Sequence, residues 1–222
     1  MLINQLPGLN YSFNKPEHLQ LALTHRSYGP VNNERLEFLG DAIVGMVVAD
    51  ILFQLHPKFS EGALTRLRSA VVRGETLADI AIKLDLSPHL RIGNDAKNSG
   101  ARRRRSILGD TLEAVFAAVY LDGGYLEVVR VITELTGETI ANLPDIESLK
   151  DPKSRLQEWL QSRGREVPEY QLISESGASH AREFTVECRL VDADISFTAT
   201  ATSRRKAQQS AAVQMLNHLS KV

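Results

Sequence analysis

Three carboxylates interrupt an otherwise apolar run in the first quarter of the chain, Asn33-Glu34-Arg35-Leu36-Glu37-Phe38-Leu39-Gly40-Asp41, which continues through Ala42-Ile43-Val44-Gly45-Met46-Val47-Val48-Ala49. Glu34, Glu37 and Asp41 stand at i, i+3 and i+7, so on a helix they share one face. A second acidic pair, Asp110 and Glu113 at i and i+3, sits in the strongly apolar run over 107–116. Ionised carboxylates crowded on a helix repel one another and resist burial, so something must compensate their charge. A hard divalent cation does this simply. Mg²⁺ and Mn²⁺ prefer oxygen ligands, whereas zinc sites draw on histidine and cysteine, which do not cluster here. If the two segments pack together, Glu37, Asp41, Asp110 and Glu113 converge. They would hold an ion loosely, with positions left for water and a phosphate oxygen, so that water is activated as nucleophile and a leaving oxygen is stabilised. The competing reading is a solvated acidic face, or acids paired with Arg35, Arg66 and Arg68. Spacing alone leaves both open.

The elements that must position these acids read as helices. From about residue 16 to 143, apolar residues recur at three- and four-residue spacing over 18–24, 34–55, 61–84, 107–121 and 125–142. Gly29-Pro30, His56-Pro57, Ser87-Pro88, Ser99-Gly100 and Gly123-Gly124 punctuate them. The pattern predicts an all-α N-terminal domain over 1–143 with two long central helices. Residues 144–150, polar and beginning with a proline, read as a linker. The pattern then changes. Asp151-Pro152 is a helix start, and an apolar stripe of Leu156, Trp159 and Leu160 ends at Gly164. Alternating stretches follow, with Tyr170/Leu172, Phe184/Val186/Cys188/Leu190 and Ile195/Phe197/Ala199 on their inner faces. A last helix from about Ser203 turns Ala207, Ala211, Met215 and Leu219 inward. The order helix, three strands, helix predicts a small α+β domain over 151–222.

Composition narrows the class. The chain has 222 residues, 43% of them hydrophobic and 24% charged, ordinary values for a globular protein large enough to build its core without staples. The single cysteine, Cys188, excludes an intrachain disulfide and fits a reducing compartment. No secretory leader is visible at the start, and the longest apolar stretches are broken by Asp50 and by Asp122-Gly123-Gly124, too short for a membrane span. The expectation is a cytoplasmic protein with no membrane partner. Net charge is −1, divided as −3 over residues 1–149 and +2 over 150–222. The local clusters Arg102-Arg103-Arg104-Arg105 and Arg204-Arg205-Lys206 say more about nucleic acid than these totals do.

The run over 33–41 strongly resembles the signature of bacterial ribonuclease III, and the similarity extends over nearly the whole chain. Matching pieces include Leu23-Thr24-His25-Arg26-Ser27, Val72-Arg73-Gly74-Glu75-Thr76-Leu77-Ala78, Asp110-Thr111-Leu112-Glu113-Ala114, Asp151-Pro152-Lys153-Ser154-Arg155-Leu156-Gln157-Glu158 and Ser203-Arg204-Arg205-Lys206-Ala207. The resemblance implies a multi-domain protein, an all-α endonuclease domain followed by an α-β-β-β-α double-stranded RNA-binding domain. By similarity, Glu37, Asp110 and Glu113 are the metal ligands. Asp41 completes the catalytic site, and Glu113 is the acid whose loss hurts most. Glu34 and Glu61 match supporting acidic positions near the site or the dimer. The implied reaction is Mg²⁺-dependent hydrolysis of double-stranded RNA, with Mn²⁺ as a substitute. It leaves 5′-phosphate and 3′-hydroxyl ends with two-nucleotide 3′ overhangs, in a homodimer formed through the N-terminal domain. Ribosomal precursor RNA and other structured RNAs are the implied substrates. Phe38 has two readings, ordinary core packing or, by the resemblance, an exposed dimer contact.

In the second domain the resemblance places Gln157, Glu158 and His180 against the minor groove of A-form RNA, and Arg204, Arg205 and Lys206 against phosphates. Independently of any family, three cations at a helix N-terminus oppose the helix dipole, a local cost that favours a functional reading. Two departures stand out. Ala199 and Ala201 occupy places where many relatives carry glycine. Arg105 stands where glutamate is common, making four consecutive arginines before the Asp110 segment, and that run belongs either to a solvated loop or to an additional phosphate contact. Neither touches the proposed metal-site acids. A non-catalytic duplex-RNA binder on the same fold is the alternative, weakened by the survival of all four acids. A metal phosphohydrolase acting on nucleotides is a third reading, and it leaves the C-terminal domain without a purpose.

Overall fold

The computed structural model describes residues 3–98, 100–144, 150–177 and 182–220. Residues up to Pro144 form one compact unit and the described residues from Lys150 onward form a second. Residues 145–149, within the expected linker, lie outside the described residues.

The first unit is helical: α1 (Pro16–Ala22), α2 (Glu34–Leu55), α3 (Glu61–Val72), α4 (Gly74–Lys83), the short α5 (Asn94–Asn98), α6 (Arg105–Gly123) and α7 (Tyr125–Ala141). Helix α6 is apolar nearly all round, and such a helix belongs inside. Leu112, Ala114, Val115, Phe116, Ala117, Ala118 and Val119 are all fully buried where α6 packs against α1, α2, α4 and α7. Helix α2 buries one stripe, with Val44, Val47, Val48 and Leu52 inside, and leaves Phe38, Met46 and Phe53 on its exposed side. The carboxylate of Asp122, near the end of α6, accepts hydrogen bonds from the Tyr11 hydroxyl at 2.7 Å and from the backbone N–H groups of Asn14 and Lys15 at 2.8 and 2.9 Å. These bonds tie the segment before α1 to the core.

The periodic run over 61–84 is not one helix. It breaks at Arg73, whose backbone is extended (φ −61°, ψ 143°) between α3 and α4. The Thr76 hydroxyl donates to the Ala70 carbonyl at 2.8 Å, and Arg73 Nε donates to Thr76 Oγ1 at 3.0 Å, which fixes the corner. The turn seats Leu77, Ala78 and Ala81 of α4, all fully buried, in the core where α4 meets α6. Apolar periodicity carries straight through such a corner, because both arms face the same core.

The second unit runs α8 (Pro152–Gln161), β1 (Glu169–Ser176), β2 (Glu183–Arg189), β3 (Ser196–Ala201) and α9 (Arg204–Leu219). The sheet is antiparallel in the order β1-β2-β3. Its inner face contributes Cys188 and Ala199 to a core with Leu156 and Leu160 of α8 and Ala211, Met215 and Leu219 of α9. Burial pushes the Cys188 thiol up from its usual range, so it packs as a small apolar side chain. The register of β1 slips between Leu172 and Ser174 and leaves Ile173 exposed. Ala199 and Ala201 sit in β3 opposite Val186 and Phe184, ordinary strand positions. Among the described residues no helix is long and apolar enough to cross a membrane.

Candidate active site and nucleic-acid interface

The two acidic segments meet where α2 crosses α6. Gly40 makes that crossing possible: a Cβ there would lie 1.8 Å from the carbonyl oxygen of Glu113, so any side chain would force the helices apart. At this contact, carboxylate oxygens of Glu37, Asp110 and Glu113 all lie within 4.8 Å of one another, each side chain half-buried. Glu34 and Asp41, both exposed on the same face of α2, line the same cleft of about 640 Å³. The structure therefore brings Glu34, Glu37, Asp41, Asp110 and Glu113 together, with three of them forming the tight cluster.

The electrostatics show a site short of positive charge. Glu113 is pushed up to about 8, first by burial and then by the charges of Asp41, Asp110 and Glu37. Glu37 is raised by burial and by its neighbours Asp110, Glu34 and Asp41, against a lowering pull from Arg26. Asp110 is raised by burial, while His25 and Arg26 hold it down in part. Arg26 and Arg104 line the same cleft, and Arg26 pairs with Glu34 in an exposed contact at 3.6 Å. Oxygen-only ligands at mutual distances that one ion can bridge, together with uncompensated negative charge, fit a hard divalent cation.

His25, Arg26 and Asn33 also line the cleft, without a role that spacing or residue type assigns them, and Arg104 of the basic run joins them. The Leu23–Ser27 run was visible in the sequence, but nothing in it signalled proximity to the acids. Asn33, buried, donates from Nδ2 to the Ala22 carbonyl at 3.1 Å, and its N–H donates to the Thr24 carbonyl at 2.8 Å. These bonds close the loop between α1 and α2 and set the start of the acidic helix.

Glu61 lies elsewhere. At the start of α3 it accepts from the Thr65 hydroxyl at 2.9 Å and borders a second cleft with Phe53, Phe59 and Arg68. Phe38 corrects the core-packing expectation: it is 81% exposed, because the α2 stripe that it occupies points away from α6. For Arg105 itself the loop reading is corrected. It is the first residue of α6 and is clamped to α4 by ion pairs with Glu75 and, at 2.7 Å, Asp79.

In the second unit, Gln157 and Glu158 are exposed on α8, and Glu158 pairs with Lys150 at 2.6 Å. Arg204, Arg205 and Lys206 are exposed on the first turn of α9, whose N-cap Ser203 accepts from the Lys206 N–H at 3.3 Å. Asp151 joins the two helix starts. It caps α8 by accepting from the Lys153 N–H at 2.9 Å, and it accepts from Gln209 Nε2 of α9 at 2.7 Å. Arg205 approaches the same carboxylate at 3.9 Å, so the start of α8 and the basic first turn of α9 lie side by side. His180 lies outside the described residues.

Comparison with known proteins agrees with this architecture. Residues 15–138 match the family described as Ribonuclease-III-like, and residues 152–219 match the double-stranded RNA binding motif. Ribonuclease 3 of Alkalilimnicola ehrlichii is 49% identical over 95% of this chain and 92% of its own length. Ribonuclease 3 of Thiobacillus denitrificans is 49% identical over 93% and 92%. Among solved structures, the nuclease domain of ribonuclease III from Campylobacter jejuni matches with a TM-score of 0.58 at 38% identity, covering 59% of this chain and 92% of that one. With both domains matched in order and about half of all aligned positions shared along nearly the full length, this chain belongs to the ribonuclease III family of endoribonucleases.

Proposed function

We propose that the protein is a Mg²⁺-dependent endoribonuclease, with Mn²⁺ as a substitute, that hydrolyses phosphodiesters in double-stranded RNA. The observation that carries this reading is the cluster of Glu37, Asp110 and Glu113, three half-buried carboxylates within 4.8 Å of one another, each raised above its ordinary range first by burial. Such a cluster is costly in the absence of a cation. In this reading the three acids hold the metal, and Asp41, exposed in the same cleft, completes the site for a bound water. When bound, the metal supplies Lewis acidity, generates the nucleophile and stabilises the leaving oxygen. Water adds to phosphorus as the bond to the 3′ oxygen breaks, which leaves a 5′-phosphate and a 3′-hydroxyl.

The second domain supplies the choice of duplex. Its exposed Gln157 and Glu158 suit ribose hydroxyls of a minor groove, His180 takes a second minor-groove contact, and Arg204, Arg205 and Lys206 suit the phosphates. Glu34 and Glu61 support the site or the dimer from their separate clefts. Homodimer formation is supported by the exposed stripe of Phe38, Met46 and Phe53 on α2, since a soluble chain seldom leaves such a row uncovered. The Campylobacter nuclease domain is likewise described with a region involved in dimer formation. Two sites acting on opposite strands would leave two-nucleotide 3′ overhangs. Ribosomal precursors and other structured RNAs in the cytoplasm are the proposed substrates, and 1–143, 144–150 and 151–222 are the proposed domain and linker limits.

Purified protein incubated with long duplex RNA tests this directly. Cutting that needs Mg²⁺ or Mn²⁺ and stops with chelator is the expected result. Tight binding with no product at any metal concentration would instead identify a non-catalytic duplex-RNA binder.

A further inference from the structure

The cleft holds one donor whose direction the backbone dictates. His25 lines it beside the acids, in the segment between α1 and α2. That segment is fastened to residues 91–93: the His25 N–H donates to the Arg91 carbonyl at 3.0 Å, and the Arg91 N–H donates to the Leu23 carbonyl at 2.8 Å. Ser27 completes the clamp. Its hydroxyl oxygen accepts from the Gly93 N–H at 3.1 Å, and a Cβ at Gly93 would lie 2.2 Å from the Ser27 carbonyl, so the approach requires glycine there.

Within this clamp, Nδ1 of His25 lies 3.1 Å from the backbone N–H of Ser27 and 2.8 Å from its hydroxyl. A backbone N–H only donates, so Nδ1 must be the acceptor and bears no proton. The ring proton therefore sits on Nε2, at the opposite edge of the imidazole, and no hydrogen-bond partner for Nε2 occurs among the described residues. Neutral histidine in this tautomer is a donor without net charge. The cleft also holds carboxylates, which repel a phosphate, and two charged donors on long side chains, Arg26, which is paired with Glu34, and Arg104.

We propose that His25 presents its Nε2–H into the acidic cleft as a preoriented hydrogen-bond donor to a non-bridging oxygen of the RNA phosphate held there. This makes His25 a substrate-binding residue of the nuclease domain, with Ser27 as the positioning residue behind it. The inference rests on the proposed cleavage of duplex RNA. On the proposed function, in which the second domain holds the duplex, loss of this one donor is expected in the rate at saturating RNA with the half-saturation concentration spared.

The test uses full-length protein in single-turnover cleavage. Glutamine places an amide N–H near the position of Nε2, whereas asparagine places its amide near Nδ1. His25→Ala and His25→Asn are expected to lose about 10- to 100-fold in saturated rate, as for removal of one hydrogen bond to a charged group, while His25→Gln recovers most of it. In parallel, ¹⁵N–¹H correlation spectra of the wild-type imidazole at neutral pH are expected to show the Nε2–H tautomer. Equal loss in all three variants, loss in none, or a proton on Nδ1 overturns the proposal. A wild-type protein that never cuts duplex RNA overturns the functional reading, and this one with it, whatever the tautomer.

Discussion

Glu113 concentrates the chemistry of the cleft in one side chain. Held up to about 8 by burial and three neighbouring acids, it is largely protonated at neutral pH unless a cation replaces the proton. Metal binding must then expel that proton, so metal affinity is expected to rise with pH until about 8 and to level off above. Calorimetric titration of Mg²⁺ at pH 6.5 and 8.5, in buffers of different ionisation enthalpy, reads both the affinity and the proton release. The sign for stability is opposite. In metal-free protein the folded state binds more protons than the unfolded chain between the ordinary value of 4.5 and about 8, so stability is expected to fall as pH rises through that window. Thermal melts in chelator check this. Glu113→Ala is expected to lower cleavage about a thousand-fold or more, since the metal's contribution amounts to several kcal/mol, and to leave duplex-RNA affinity unchanged. Cleavage and filter-binding assays on the same preparation separate the two.

At the scale of elements, the α2–α6 crossing decides whether there is a site at all. An alanine within a helix ordinarily favours folding by about 1 kcal/mol over glycine. At Gly40 the steric term wins, because the added carbon would sit 1.8 Å from the Glu113 carbonyl oxygen. Gly40→Ala is expected to lower stability by about 1–3 kcal/mol, the usual range for an overpacked contact, and to reduce cleavage by separating Glu37 from Glu113. Denaturant unfolding and the cleavage assay check the two effects. Arg105 illustrates the same scale differently. Its pairs with Glu75 and Asp79 join the first turn of α6 to α4, so the residue serves the helix packing that carries Asp110 and Glu113.

For the molecule as a whole, the proposed RNA-binding and dimer surfaces are expected to be separable. Replacing Arg204, Arg205 and Lys206 together by alanine is expected to weaken duplex binding and to flatten its logarithmic salt dependence by about 2–3, because each lost phosphate contact releases about one counterion fewer. Saturated cleavage should survive, since the acids lie in the other unit. An unchanged salt slope would remove the triplet from the interface. On the nuclease unit, Phe38→Glu puts a charge in the exposed apolar stripe of α2. It is expected to shift the protein from dimer to monomer in light scattering, with little change in melting temperature, because Phe38 contributes almost nothing to the core of its own chain.

Periodicity and residue type went far here. Helical spacing identified the helices, strand alternation identified the sheet with Cys188 and Ala199 inside it, and the oxygen-only acidic spacing pointed to a hard cation. These properties are local, since they depend on which side of an element is apolar and which atoms a side chain offers. Tertiary structure alone decided the rest. The corner at Arg73 is invisible to periodicity, because both arms bury the same kind of face. Phe38 looked like core because a hydrophobic type does not say which side of α2 meets α6. The entry of His25 and Arg26 into the acidic cleft depends on backbone bonds to Arg91 and on the Asn33 loop closure, contacts between segments far apart in the chain or within an irregular loop. The distances that make three acids into one site exist only because a missing side chain at Gly40 lets two helices touch.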